Sequence, residues 1–188
     1  MNDLIFIDKR HGLEDECIPS NLVDVNSKYK ENIKLDINTY QKWLELKEDV
    51  LKKGYNIDIE SGYRSYDIQE QLLKELIEEK GVAYASTAVA IPGHSEHQTG
   101  LALDYCIVRS NQFILENEMG DCEECFYTNS VAHKYGFIVR YPNGKEDITG
   151  YQYEPWHLRY VGTNLSNYLY VNKITLDEYY KEEKNEKN

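Results

Sequence analysis

The sequence predicts an α+β domain in which helices pack on a central, mainly antiparallel sheet. Three observations carry this expectation. Apolar residues recur at helical spacing early in the chain. Alternating and continuous short apolar runs dominate later, so helices come first and paired strands follow. The 188 residues contain no Pro/Gly/Ser-rich linker and no internal repeat, so one domain is expected over residues 1–180.

The elements follow in order. Asp36 to Lys53 reads as a helix with Ile37, Tyr40, Trp43, Leu44, Val50 and Leu51 along its apolar face and Gly54 as its stop. Asn56 to Glu60 alternates as a strand. Ser65 or Asp67 caps a second helix, in which Ile68, Leu72, Leu76 and Ile77 recur until Gly81. Leu101 to Val108 is an apolar run with one charge, Asp104, and reads as a buried strand. A third helix, roughly Tyr127 to Tyr135, ends at Gly136 and feeds a strand from Phe137 to Tyr141. Pro142-Asn143-Gly144 signals a turn and a following hairpin. Trp156 to Val161 alternates, with Trp156, Leu158 and Tyr160 on one face and His157, Arg159 and Val161 on the other. The polar stretch 181–188 is expected to fray as a disordered tail.

Composition excludes some partners. A net charge of −12 argues against nucleic acid and against anionic lipid, both of which are bound through basic surface. No stretch approaches the roughly 20 apolar residues of a membrane span. Leu4-Ile5-Phe6-Ile7 is too short for a secretory core of about seven or more. The four cysteines do not demand disulfides, since a chain of this length can bury a core without them. Cys122-Glu123-Glu124-Cys125 reads as a structural or loop feature, because neighbouring glutamates disfavour a reactive thiolate.

The chemistry concentrates in two segments. Ser95-Glu96-His97-Gln98-Thr99-Gly100-Leu101-Ala102-Leu103-Asp104 is followed fifty residues later by Glu154-Pro155-Trp156-His157. A catalytic zinc site needs about three protein ligands and an open position. A spare carboxylate beside the metal is what a hydrolase needs to take a proton from water. His97 and Asp104 are seven apart, which on a regular strand would put them on opposite faces, and Gly100 permits the turn that brings them together. Taken alone, Asp104 fits equally a buried carboxylate paired with Arg or backbone donors. A lone His157 is more often a strand-rim residue than a ligand. The combination reverses those odds.

Ser-x-His-x-x-Gly-x-Ala-x-Asp followed by Glu-x-x-His resembles the zinc D-alanyl-D-alanine metallopeptidases, the VanY-like carboxypeptidases and their relatives. Ser61-Gly62-Tyr63-Arg64-Ser65 through Gln69, the block Tyr135 to Pro142, and the stretch Ile148 to Gly162 extend the resemblance over about Leu35 to Gly162. Within the family the chain is most similar to the VanXY-type bifunctional D,D-dipeptidase/D,D-carboxypeptidases of vancomycin-resistance clusters.

The resemblance implies a small α+β zinc-peptidase domain with the metal in a cleft over the sheet. It implies Zn2+ on His97, Asp104 and His157, with Glu154 as the proton acceptor for water. Arg64 would stabilise the oxyanion, and Ser95 and Gln69 would bind the terminal carboxylate of the substrate. Read alone, Arg64 is an exposed arginine, Ser95 a turn residue after Pro92-Gly93, and Gln69 a helix-surface residue. His94 is a candidate for the cleft wall, His133 reads as structural, and His11 has no assignable role.

The implied substrates are small peptides, free D-Ala-D-Ala and peptidoglycan pentapeptide precursors, and the implied activity contributes to vancomycin resistance. VanXY-like enzymes work in the cytoplasm, and the chain is read as cytoplasmic; a chain trimmed of an N-terminal anchor would look the same. Two alternatives stay open: an L,D-carboxypeptidase trimming muropeptide tetrapeptides, and a non-catalytic zinc or peptide-binding module on the same scaffold. Glu154 speaks against the module, which has no need of a proton acceptor. The sequence leaves the oligomeric state open.

Overall fold

The computed structural model describes residues 5–186 apart from Glu16 and Asn111. A short ribbon of β1 (Leu22–Asp24) and β2 (Lys34–Asp36) leads into α1 (Ile37–Lys52), β3 (Ile57–Ser61), α2 (Tyr66–Lys80) and α3 (Val82–Ala88). A single 3₁₀ turn, Glu96–Thr99, precedes β4 (Ala102–Arg109) and the short β5 (Gln112–Ile114). Next come α4 (Glu123–Val131), β6 (Phe137–Tyr141), the brief α5 (Glu146–Thr149), β7 (Glu154–Tyr160), α6 (Thr163–Asn172) and α7 (Leu176–Glu186). The main sheet has the order β3-β4-β7-β6, with β5 folded back on the end of β4, and every pairing is antiparallel.

Alternation along the strands separates two chemistries on the two faces of this sheet. Ile57, Ile59, Leu103, Tyr105, Phe137, Trp156, Leu158 and Tyr160 join Trp43, Leu46 and Val50 of α1 in one continuous core. Each large apolar side chain so buried contributes about 1.5–3 kcal/mol. Asp104, His157 and Arg159 leave the strands on the opposite face, where the cleft lies.

α1 starts where the carboxylate of buried Asp36 accepts the backbone N–H groups of Asn38 and Thr39 at 2.8 and 3.1 Å, a capping contact. Its inward stripe is Thr39, Trp43, Leu46 and Val50, so the phase expected from Ile37, Leu44 and Leu51 is corrected: those three are exposed. On α2, capped by Ser65 as expected, Ile68 is likewise exposed, and the buried residue is Gln69. The third helix begins earlier than expected, at Glu123, and its last turn, Ala132–Tyr135, tightens to 3₁₀ before Gly136. The turn after Tyr141 leads through α5 before β7 pairs back on β6, so the connection is longer than a tight hairpin. The stretch expected to fray from Lys181 is helical as far as Glu186, and residues 187–188 lie outside the described residues.

Candidate metal centre

Asp104 stands between two partners, with Ser61 opposite it on β3 and His157 opposite it on β7. His97 reaches the same point from the 3₁₀ turn. Gly100 ends that turn at φ +71°, and its amide donates to the His97 carbonyl at 3.2 Å. A Cβ at Gly100 would lie 2.7 Å from Leu22, so the turn is both left-handed and tightly packed. The backbone amide of Arg64 donates to the His97 carbonyl at 3.1 Å, stitching the Gly62–Ser65 loop to the turn.

Glu154 arrives through an irregularity. Val139 pairs with Leu158 but Tyr141 pairs with Glu154, so β7 spends extra residues around Pro155. Strict alternation would put Glu154 with Trp156 on the core face. The slip instead turns its carboxylate to within 3.8 Å of His157 Nδ1.

The ligand-type atoms of His97, Asp104 and His157 lie within 4.8 Å of one another. His97 Nε2 is 3.2 Å from Asp104 Oδ2, and His157 Nδ1 is 3.1 Å from Asp104 Oδ1. His97 Nδ1 lies 2.7 Å from the Gly62 carbonyl, which can only accept, so this nitrogen carries the proton. The Nε2 lone pair therefore faces the Asp104 carboxylate, acceptor against acceptor. Asp104 Oδ1 is buried without a hydrogen-bond partner among the described residues. A cation between these atoms resolves both conflicts, and two imidazoles with one carboxylate are a donor set that suits zinc.

Burial sets the electrostatics. It lowers the His97 pKa, keeping the ring neutral. Burial alone would raise Asp104, but His97 and then His157 outweigh it and hold the carboxyl well below the usual range. Glu154 is pushed up to about 7, first by burial and then by Asp104 against the opposing pull of His157. For His157, burial works against the charged ring, yet the adjacent Asp104 and Glu96 carboxylates outweigh it and raise it to about 9.

The other expected residues gather around the same cleft of about 380 Å³. Arg64, with 19% of its side chain exposed, is no surface arginine and sits 3.8 Å from Asp104 Oδ2. Its Nη1 donates to Gln69 Oε1 at 2.9 Å and its Nη2 to Ser61 Oγ at 3.2 Å. Gln69 in turn donates to the Ala90 carbonyl at 2.7 Å, so its amide braces Arg64 at the cleft wall. Ser95 lines the cleft and is buried. His94 is corrected: it is absent from the cleft wall, and its Nδ1 meets the Asp8 carbonyl at 2.7 Å, holding the N-terminal segment. His133 stacks on Tyr170 at 3.6 Å, and His11 contacts Asp8. All four cysteines are free, and burial raises the Cys125 thiol pKa.

Sequence reasoning missed Glu96. It is fully buried and accepts from Arg140 Nε and Arg159 Nη1, both at 2.8 Å. The available signal was Arg159 sharing a strand face with His157, which requires a buried anion nearby.

A family model described as VanY, D-alanyl-D-alanine carboxypeptidase, matches residues 32–163. YodJ of Bacillus subtilis (strain 168), provisionally named a carboxypeptidase, is 42% identical over 188 residues, covering 97% of this chain and 68% of its own length. The bifunctional D-Ala-D-Ala dipeptidase and D-Ala-D-Ala carboxypeptidase VanXYC of Enterococcus gallinarum is 35% identical over 184 residues, covering 96% of this chain and 94% of its own. Among solved structures, the LdcB LD-carboxypeptidase superposes with a TM-score of 0.85 at 41% identity, covering 93% of this chain and 84% of its own. A mutant of the vancomycin-resistance D,D-pentapeptidase VanY in complex with Zn(II) gives 0.77 at 30% identity, covering 94% and 98%.

Proposed function

The chain belongs to the VanY family of D-alanyl-D-alanine carboxypeptidases, and from that premise we propose that it is a zinc-dependent D,D-peptidase. It would hydrolyse free D-Ala-D-Ala and remove the terminal D-Ala from peptidoglycan pentapeptide precursors, an activity that contributes to vancomycin resistance where those precursors are the drug's target. The observation that carries the reading is the convergence of His97, Asp104 and His157 from one turn and two strands, with Glu154 and Arg64 on their flanks.

His97, Asp104 and His157 would hold the zinc. Bound there, zinc supplies a Lewis acid that polarises the scissile carbonyl and eases ionisation of water. Glu154 takes the proton of the attacking water and passes it to the departing amine. Arg64, permanently charged and braced by Gln69 and Ser61, faces the oxygen on which negative charge develops. Ser95 and Gln69, both at the cleft wall, orient the terminal carboxylate of the substrate.

A second reading, L,D-carboxypeptidase action on tetrapeptides, is favoured by the superposition on LdcB. One assay separates them: D-Ala release from D-Ala-D-Ala, from UDP-muramyl-pentapeptide and from the tetrapeptide. Release from the first two supports the D,D reading. Release from the tetrapeptide alone assigns the L,D reaction, and release from none, with zinc bound, assigns a binding module.

A further inference from the structure

The two oxygens of Glu96 live in different surroundings. Oε1 accepts both guanidinium donors, Arg140 Nε and Arg159 Nη1, at 2.8 Å each. Oε2 accepts neither; it is buried and has no hydrogen-bond partner among the described residues. Opposite it, 3.6 Å away, is His157 Nε2, buried and equally without a partner. A carboxylate serving only to neutralise two arginines would be expected to offer both oxygens to their forks. Crowding both donors onto one oxygen leaves the other for the imidazole.

We propose that Glu96 is a positioning residue for the metal centre: its Oε2 accepts the Nε2–H of His157, which fixes the tautomer that turns the Nδ1 lone pair toward Asp104 and the metal. This rests on the zinc reading above. The other ring nitrogen of a metal-binding histidine is commonly held in this way by a carboxylate or carbonyl. His97 has its own holder, the Gly62 carbonyl, so the two ligands are oriented by different acceptors. The arginines hold Glu96 from behind. Arg140 also donates to Asp177 on α7, at 2.5 Å, and to the Ile7 carbonyl at 3.2 Å. Arg159 also donates to the Ile5 carbonyl at 2.5 Å.

The same geometry gives Glu96→Gln a specific consequence. The amide oxygen must remain with the arginines, because an NH₂ group there would face their donors. The NH₂ then points at His157 Nε2 and donates, which forces the proton onto Nδ1, the nitrogen the metal needs. Zinc affinity, read by competition with a chromophoric chelator, should fall about 10–100-fold, the usual scale for such outer partners. Glu96→Asp, which keeps the acceptor but shortens its reach, should lose less than Glu96→Gln.

The second readout needs no variant. Long-range ¹H–¹⁵N correlation of the zinc-loaded wild type should show His157 protonated on Nε2, with that proton protected from solvent. An Nδ1-protonated His157, or unchanged zinc affinity in a folded Glu96→Gln, would overturn the proposal. If Glu96→Gln does not fold, the wild-type spectrum decides alone. A wild type that binds no zinc would instead overturn the metal reading, and this one with it.

Discussion

Asp104 and His157 face each other directly across β4 and β7, with Nδ1 3.1 Å from Oδ1. Two of the three candidate ligands are thus fixed by strand register, and a one-residue slip of either strand would send one of them to the core face. Only His97 depends on a turn.

With three ligands and no spare, each is expected to be indispensable. His97→Ala, Asp104→Ala and His157→Ala should each lose most bound zinc in elemental analysis. Near-stoichiometric metal in any of them would remove that residue from the site. Chelation should abolish turnover while leaving the far-ultraviolet spectrum unchanged, because the core around Trp43, Leu103 and Leu158 lies on the other face of the sheet.

Glu154→Ala should keep zinc and lose about 10²-fold or more in kcat, the scale of a positioned general base. Arg64→Ala should lower kcat more than it raises KM, since its partner gains charge only in the transition state. A Glu154→Ala protein that lost its zinc yet turned over when reconstituted would exchange the roles of these groups.

Gly100→Ala should destabilise the fold by about 2 kcal/mol or more, from the left-handed backbone and the contact with Leu22 together. The urea midpoint should fall at constant slope. Zinc affinity should fall too, because the turn seats His97. A midpoint within error of wild type would show that the turn relaxes freely.

Glu60, at the cleft edge, is pushed up to about 7 by burial first and then by Asp104 and Glu116. Its folded-state pKa lies above its unfolded one, so the native state holds the proton longer. Its stabilising contribution is fully present below about pH 4.5 and is lost as pH rises through about 7. Glu60→Gln removes this dependence, so its stability relative to wild type should climb between pH 5 and 8, as about-unit steps in denaturation series would reveal. A constant difference across that range would contradict the assignment.

Much of this was legible in the chain. Gly54, Ser65, Gly81 and Gly136 mark helix ends, and alternation from Trp156 onward predicted which residues of β7 enter the core. The rotation of α1 was not legible, because Ile37, Leu44 and Leu51 offer an apolar stripe nearly as good as the one used. Tertiary contact with the sheet chose between them, burying Thr39 and Leu46. The candidate triad His97, Asp104 and His157 could be singled out because its residue types are chemically rare in combination. Glu96 was harder: Arg159 on the His157 face signals a buried anion somewhere nearby, but its arginines stand 44 and 63 residues away, so nothing local says which carboxylate it is.

The buried charges beneath the site also constrain how its parts can be exchanged. Glu96, Arg140, Arg159 and Asp177 come from a turn, two strands and the last helix, and each is nearly sealed from solvent. Changing any one strands an uncompensated charge, which costs about 3–5 kcal/mol. A chimera that grafts the 3₁₀ turn of a relative into this chain must therefore carry matching residues at all four positions, or a charge-neutral replacement for the whole set. In exchange experiments the quartet is expected to act as one unit, scattered through the chain but swappable only together.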